Sequence, residues 1–209
     1  QTANRDPSEV RILAVSKRHT VDRIAALNEL GQACFGEHYV QEALKKIGQH
    51  KDRHMESHIN GPLQTNKTRE VAEHFHWVQS VDRAKVLRRL ADQRPPTMPP
   101  LNICIQVNID REPQKSGCLP EDAESLARLC LDLPGLRLRG LMTIPKIGST
   151  DHDPAESYRL MQQLYNELLE SGLALDTLSM GMSADLEAAI LHGSTMVRIG
   201  TDLLGTRPA

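Results

Sequence analysis

Short apolar or β-branched runs alternate with longer stretches of helical period along the whole chain, and eight such units can be counted. Residues 11–17 (RILAVSK) read as the first strand. The helix after it, 21–30, has Ile24, Leu27 and Leu30 on one face and stops at Gly31. Further strands are expected at 33–37, 55–59, 77–81, 101–109, 136–144, 177–180 and 195–199, with helices at 40–47, 66–75, 83–93, 120–133, 155–171 and 184–191. Eight unbroken strand–helix units demand parallel strands joined by crossover helices. A closed (β/α)8 barrel is favoured over an open doubly wound sheet, because the count is eight and 209 residues lie near the ~200-residue lower end for such barrels. The run RPPTMPP reads as a seven-residue loop, so one domain over 1–209 is expected.

Composition narrows the class. Hydrophobic residues make up 39%, enough with the 13 glycines for a full core. The balance of 25 basic and 27 acidic side chains gives no general attraction for a polyanion, so nucleic acid is not expected as a partner. No apolar run approaches the ~20 residues of a membrane span, and the first nine residues lack a signal-peptide core. Cys34, Cys104, Cys118 and Cys130 have no CxxC spacing and mostly sit in apolar runs, which favours buried free thiols over disulfides. A soluble cytoplasmic α/β domain is the expectation.

In barrels of this kind chemistry collects where strands end. Lys17 closes an apolar run, where a lysine is out of place for packing. Its ammonium needs either a partner, such as Glu37 at the end of the second strand, or a lowered pKa that frees the amine to condense with an aldehyde. Taken alone, the lysine favours the plainer ion-paired or solvated reading. Met180-Gly181-Met182-Ser183 after the seventh strand and Arg198-Ile199-Gly200-Thr201 after the eighth stand where many barrels bind phosphate. Ser183 and Thr201 supply hydroxyls, and Gly181 and Gly200 allow close backbone approach. Closure places the eighth strand beside the first, bringing Arg198 near Lys17. An aldehyde-binding lysine, a phosphate cup and an arginine in one mouth are the minimal kit for pyridoxal 5′-phosphate.

RILAVSK, FGEHYVQEALKKI, GPLQTNK, QKSG, GLMTIP, LSMGMSADLEAAI and STMVRIGTDLLG, in this order, resemble the pyridoxal phosphate homeostasis proteins over nearly the whole chain. The resemblance implies an alanine-racemase-like barrel. It implies that Lys17 holds the cofactor as an internal aldimine and that Ser183, Gly200 and Thr201 contact its phosphate. Arg198 matches the arginine that faces the pyridine nitrogen. A guanidinium there would leave that nitrogen unprotonated and the ring a weak electron sink. The candidate cofactor-binding set is Lys17, His38, Met180, Ser183, Arg198, Gly200 and Thr201, with no catalytic and no metal residue assigned.

Three departures stand out. His38 replaces the asparagine of the usual GENY, and its charge can change near neutral pH. Ile59-Asn60 replaces an aromatic–apolar pair, placing a polar group where packing is expected. The chain also begins just before its first strand, without the helix that usually precedes it. Other features read plainly. His50, His54, His58, His74 and His76 are expected at surfaces and strand ends, with no carboxylate or cysteine completing a metal set. Lys67 and Arg69, and the group Asp82, Arg83, Lys85, Arg88 and Arg89, read as solvated faces. Met142, Met180 and Met182 read first as barrel packing.

The expected function is intracellular cofactor homeostasis without turnover. Pyridoxal phosphate itself and, with it, cofactor-dependent apoenzymes are the expected partners of a monomer. The alternatives are a racemase-type enzyme, disfavoured by a chain that stops nine residues after Gly200 with no second domain, and a Schiff-base barrel acting on a phosphorylated sugar.

Overall fold

The computed structural model describes residues 3–50, 54–146 and 153–205. Eight parallel strands close into a barrel in sequence order: β1 (Arg11–Val15), β2 (Cys34–Glu37), β3 (Glu56–Ile59), β4 (Trp77–Val81), β5 (Leu101–Gln106), β6 (Leu136–Met142), β7 (Thr177–Met182) and β8 (Met196–Ile199). The crossover helices are α1 (Val21–Glu29), α2 (Val40–Gln49), α3 (Thr68–His74), α4 (Ala84–Gln93), α5 (Ala123–Leu131), α6 (Pro154–Glu170) and α7 (Leu186–Leu191), with a short α8 (Thr201–Leu204) after β8. The expected (β/α)8 barrel is the observed architecture. Closure is made by β1 against β8, with Leu13 opposite Arg198 and Ala14 opposite Ile199.

Strand alternation sorts the residues into two environments. Outward residues such as Ile103, Ile105, Leu141, Leu178 and Met180 join the helices in the main apolar core. α4 shows how a crossover is fixed: it buries Val86, Leu87 and Leu90 against this core and stops at Arg94, ahead of Pro95 and Pro96. The buried Arg94 guanidinium then ties the ends of neighbouring elements together through the carbonyls of Ala72, Phe75 and Pro99. Inward residues form two small apolar groups, Leu13–Cys34–Met196 and Trp77–Cys104–Met142, and around them a polar core. All four cysteines are buried and free.

Two strand ends differ from expectation in ways that matter for the site. β1 stops at Val15, because the Ser16 carbonyl leaves the ladder to accept from His19 N and from Lys46 Nζ. β7 runs on to Met182, carrying Gly181 inside the strand.

Candidate functional site

Lys17 lies half-buried in the turn after β1. That turn is held by a second lysine, Lys46 of α2. Its Nζ donates to Ser16 O, Glu37 Oε1 and Glu42 Oε1, each at 2.7 Å. Ser16 Oγ donates to Glu37 Oε1 at 2.5 Å, and Arg18 N donates to Glu42 Oε1. Both backbone neighbours of Lys17 are therefore pinned, and Arg18 takes a left-handed conformation (φ 63°) to make the turn. Glu37 Oε1 thus serves Lys46 and Ser16. Burial pushes the Glu37 carboxyl above its usual range, against the pull of Lys46 and Ser16. Burial would raise Glu42 too, but its bonds to Lys46 and Arg18 hold it below the usual range.

Across the closure, Arg198 points into the barrel with 4% of its surface exposed. Nη1 donates to Ser179 Oγ at 2.9 Å, and Nη2 to the Thr143 carbonyl at 2.7 Å. Ser179 Oγ donates to Gln79 Oε1 at 2.7 Å, and Gln79 Nε2 donates to His58 Nδ1 at 2.9 Å. His58, stacked on Trp77 with ring centroids 5.0 Å apart, is left with its proton on Nε2, facing Glu56 Oε1 at 2.9 Å. The chain of donors therefore runs in one direction from mouth to floor, where Arg11 closes it on Glu56 at 2.7 Å. Burial holds the Arg198 pKa below its ordinary value, but a guanidinium remains charged. Its direct partners are neutral. Among the described residues no carboxylate lies within ion-pair distance, and the Asp185 charge acts on the guanidinium only from farther off, so no direct contact neutralises it.

The loops after β7 and β8 supply the other expected groups. Gly181 has φ 94°, and a Cβ there would meet Ala189 Cβ at 2.5 Å, so the strand end needs glycine. Gly200 has φ −111°, and its Cβ would stand 3.4 Å from Val15 O, so it needs glycine less. Ser183 is half-buried after β7, and Thr201 is exposed at the start of α8. Asp185 Oδ1 accepts from Met182 N and shapes this turn. Met180 is placed elsewhere. Because Ser179 faces inward, the Met180 side chain packs outward in the main core and its carbonyl is taken by Ser194 Oγ, so it brings no side-chain group to the mouth.

His38 is half-buried beyond β2, its ring edge-on to Tyr39 at 4.8 Å. Burial, then the charge of Lys17, depress its pKa, so the neutral ring is favoured at pH 7.

The remaining histidines correct one expectation. His58 is wholly buried, and Cys34 and Glu56 place donor atoms within 4.8 Å of one another and of its ring. A mixed donor set does form, contrary to the sequence reading. Arg11 Nη2 lies 2.8 Å from Cys34 Sγ and 2.7 Å from Glu56 Oε1, so two of the three donors are engaged by a guanidinium in this structure. Arg89 also departs from a solvated face, since its Nε ties α4 to Thr65 O and Thr68 Oγ1. Lys67 and Arg69 pair with Glu70 and Glu73 on the surface as expected. Sequence reasoning missed Lys46, Gln79 and Ser179. Their only signal was polarity, in a helix and in strands otherwise read for packing.

The mouth brings a lysine turn, a buried arginine and two hydroxyl-bearing loops together, the groups that an aldehyde phosphate would need. The model of the family described as "Alanine racemase, N-terminal domain" matches residues 1–208. A curated relative from Pseudomonas aeruginosa, "Pyridoxal phosphate homeostasis protein", is 51% identical over 207 residues, covering 99% of this chain and 89% of that one. The solved structure of PipY from Synechococcus elongatus with pyridoxal phosphate bound superposes with a TM-score of 0.87 at 34% identity, covering 98% of this chain and 96% of that one. Alanine racemase of Clostridium difficile shares the fold alone, with a TM-score of 0.78 at 14% identity over 100% of this chain and 55% of its own. The chain belongs to the alanine racemase N-terminal domain family and, within it, to the pyridoxal phosphate homeostasis proteins. Among the described residues no helix is long and apolar enough to cross a membrane.

Proposed function

We propose that this protein binds pyridoxal phosphate reversibly at the barrel mouth and serves its intracellular homeostasis without turning over amino acids. The observation that carries the reading is Arg198, a buried guanidinium with only neutral partners, on the strand paired with the one that leads into Lys17. Such a mouth favours an anionic ligand, and an aldehyde phosphate meets both its charge and its amine. Lys17 holds the aldehyde as a Schiff base. Arg198 faces the pyridine nitrogen, Ser183, Gly200 and Thr201 take the phosphate, and His38 lies beside the ring. The Lys46 brace keeps the amine in place while cofactor enters and leaves.

The names of the relatives support homeostasis over catalysis, and so does Arg198. A group that keeps its own proton leaves the pyridine nitrogen unprotonated, which weakens the ring as an electron sink. Four free thiols suit a reducing cytoplasm. In the proposed role a monomer holds the cofactor and releases it to apoenzymes.

Titration with pyridoxal phosphate tests the reading. A saturable visible band that is lost in Lys17→Ala is expected. Equal spectra for the two proteins, or tighter binding of a phosphorylated sugar, would contradict it. Holoprotein incubated with alanine in deuterated water should show no Lys17-dependent exchange at Cα, whereas exchange at enzyme-like rates would favour the racemase-type reading.

A further inference from the structure

Asn60 follows β3 two residues beyond His58, so strand alternation turns it into the barrel at its C-terminal rim. It is 9% exposed, its Oδ1 is fully buried, and no hydrogen bond joins its side chain to another described residue. The inward amide of Gln79 is by contrast saturated by Ser179, His58 and the Met196 sulfur. Asn60 has its place because nearby Gly36, paired in register with His58, has no side chain. A Cβ on Gly36 would lie 3.1 Å from Asn60 Nδ2 and 2.9 Å from Leu13 Cδ2. The next residue, Gly61, lies against His38, where a Cβ would come within 2.1 Å of the His38 carbonyl and 2.8 Å of its ring. Asn60 and His38 therefore belong to one corner of the mouth.

An unpaired amide in a barrel interior costs stability that an apolar side chain would not. A ligand bound in the mouth removes that cost by pairing with it. We propose that Asn60 is a cofactor-binding residue whose amide hydrogen-bonds the phenolic oxygen of pyridoxal phosphate, sharing with His38 the side of the ring remote from Arg198. The inference rests on the mouth being the cofactor site.

The test pairs stability with affinity in Asn60→Ile. The cofactor-free variant is expected to melt at a higher temperature than the native protein, because a buried unpaired polar group is gone. Its affinity for pyridoxal phosphate is expected to fall about 10-fold, the value of one hydrogen bond to a charged group. A purely structural role would raise the melting temperature and leave affinity unchanged, and that result overturns the proposal. Asn60→Ala supplies the same affinity comparison if the isoleucine variant fails to fold. An analogue lacking the phenolic hydroxyl should bind the native and variant proteins equally; a retained difference would overturn the assigned contact. A Lys17-dependent band with unchanged affinity in both variants sinks Asn60 alone, whereas no Lys17-dependent band in the native protein sinks the reading of the mouth with it.

Discussion

On the Arg198 side of the mouth a chain of buried donors, each with its acceptor, starts on β8 and β7 and crosses the interior to β4 and β3, from Arg198 through Ser179 and Gln79 to His58 and Glu56. On the β2–β3 side, Asn60 Oδ1 and Glu37 Oε2 are buried without partners among the described residues, and His38 stands half-exposed beside them. The first side is finished by folding. Its guanidinium is oriented before any ligand arrives, so binding need not pay for ordering it. The second side is held by charge at its back, through Lys46 and Glu37, and open in its hydrogen bonding at the front. The proposed role, taking up a cofactor and releasing it again, calls for a rigid charged wall beside a wall that ligand completes.

The largest effect should come from the charged brace. Lys46→Met leaves the Glu37 carboxylate buried without its counter-ion and is expected to cost ~3–5 kcal/mol in urea unfolding. Adding Glu37→Gln should recover most of that loss. A single variant as stable as the native protein would show that the pair does not hold the Lys17 turn.

Next comes acid. Burial pushes the His58 pKa down to about 4, outweighing the pull of Glu56. The unfolded chain, with its histidine near 6.5, then takes up the proton first as pH falls. Stability should therefore drop as pH falls from about 6.5 toward 4, by up to ~3 kcal/mol over the window. His58→Phe, which keeps a ring against Trp77, should flatten the profile above pH 5, where Glu56 remains ionised. An unchanged slope would move the titration to another group.

Gln79→Leu tests the neutral chain and should cost ~2 kcal/mol, because the Ser179 hydroxyl and His58 Nδ1 lose their partner in a dry interior. A loss below ~0.5 kcal/mol would mean that the chain is no more than incidental. The smallest effect belongs to His38. Its depressed pKa puts any titration effect on cofactor affinity below pH 6.5, and His38→Asn should remove that dependence.

The barrel was legible because each strand and helix carries its own period, Lys17 stood out as a charge closing an apolar run, and Arg198 stood out by its place at the eighth strand, beside the first. What could not be read depends on partners distant in sequence. The end of β1 is set by Lys46, thirty residues from Ser16, yet in sequence Lys46 is half of a lysine pair on an amphipathic helix. Gln79 and Ser179 lie 100 residues apart and meet only inside the closed barrel. Cys34, Glu56 and His58 likewise meet because β2 and β3 pair, with Cys34 opposite Glu56. The Met180 side chain follows its packing reading, since Ser179 beside it faces inward. Asn60 was visible as an oddity but not as a group left without a partner.

The central claim is that one lysine holds the cofactor, and reduction tests it most directly. Protein loaded with pyridoxal phosphate, reduced with borohydride and mapped by peptide mass should carry one pyridoxyl group, on Lys17. Lys115, which donates to the Pro145 carbonyl, and Lys146, whose backbone N–H donates to Asp110, are the informative alternatives in the segments after β5 and β6. A label on either of them, or spread over surface lysines with none on Lys17, would contradict the account.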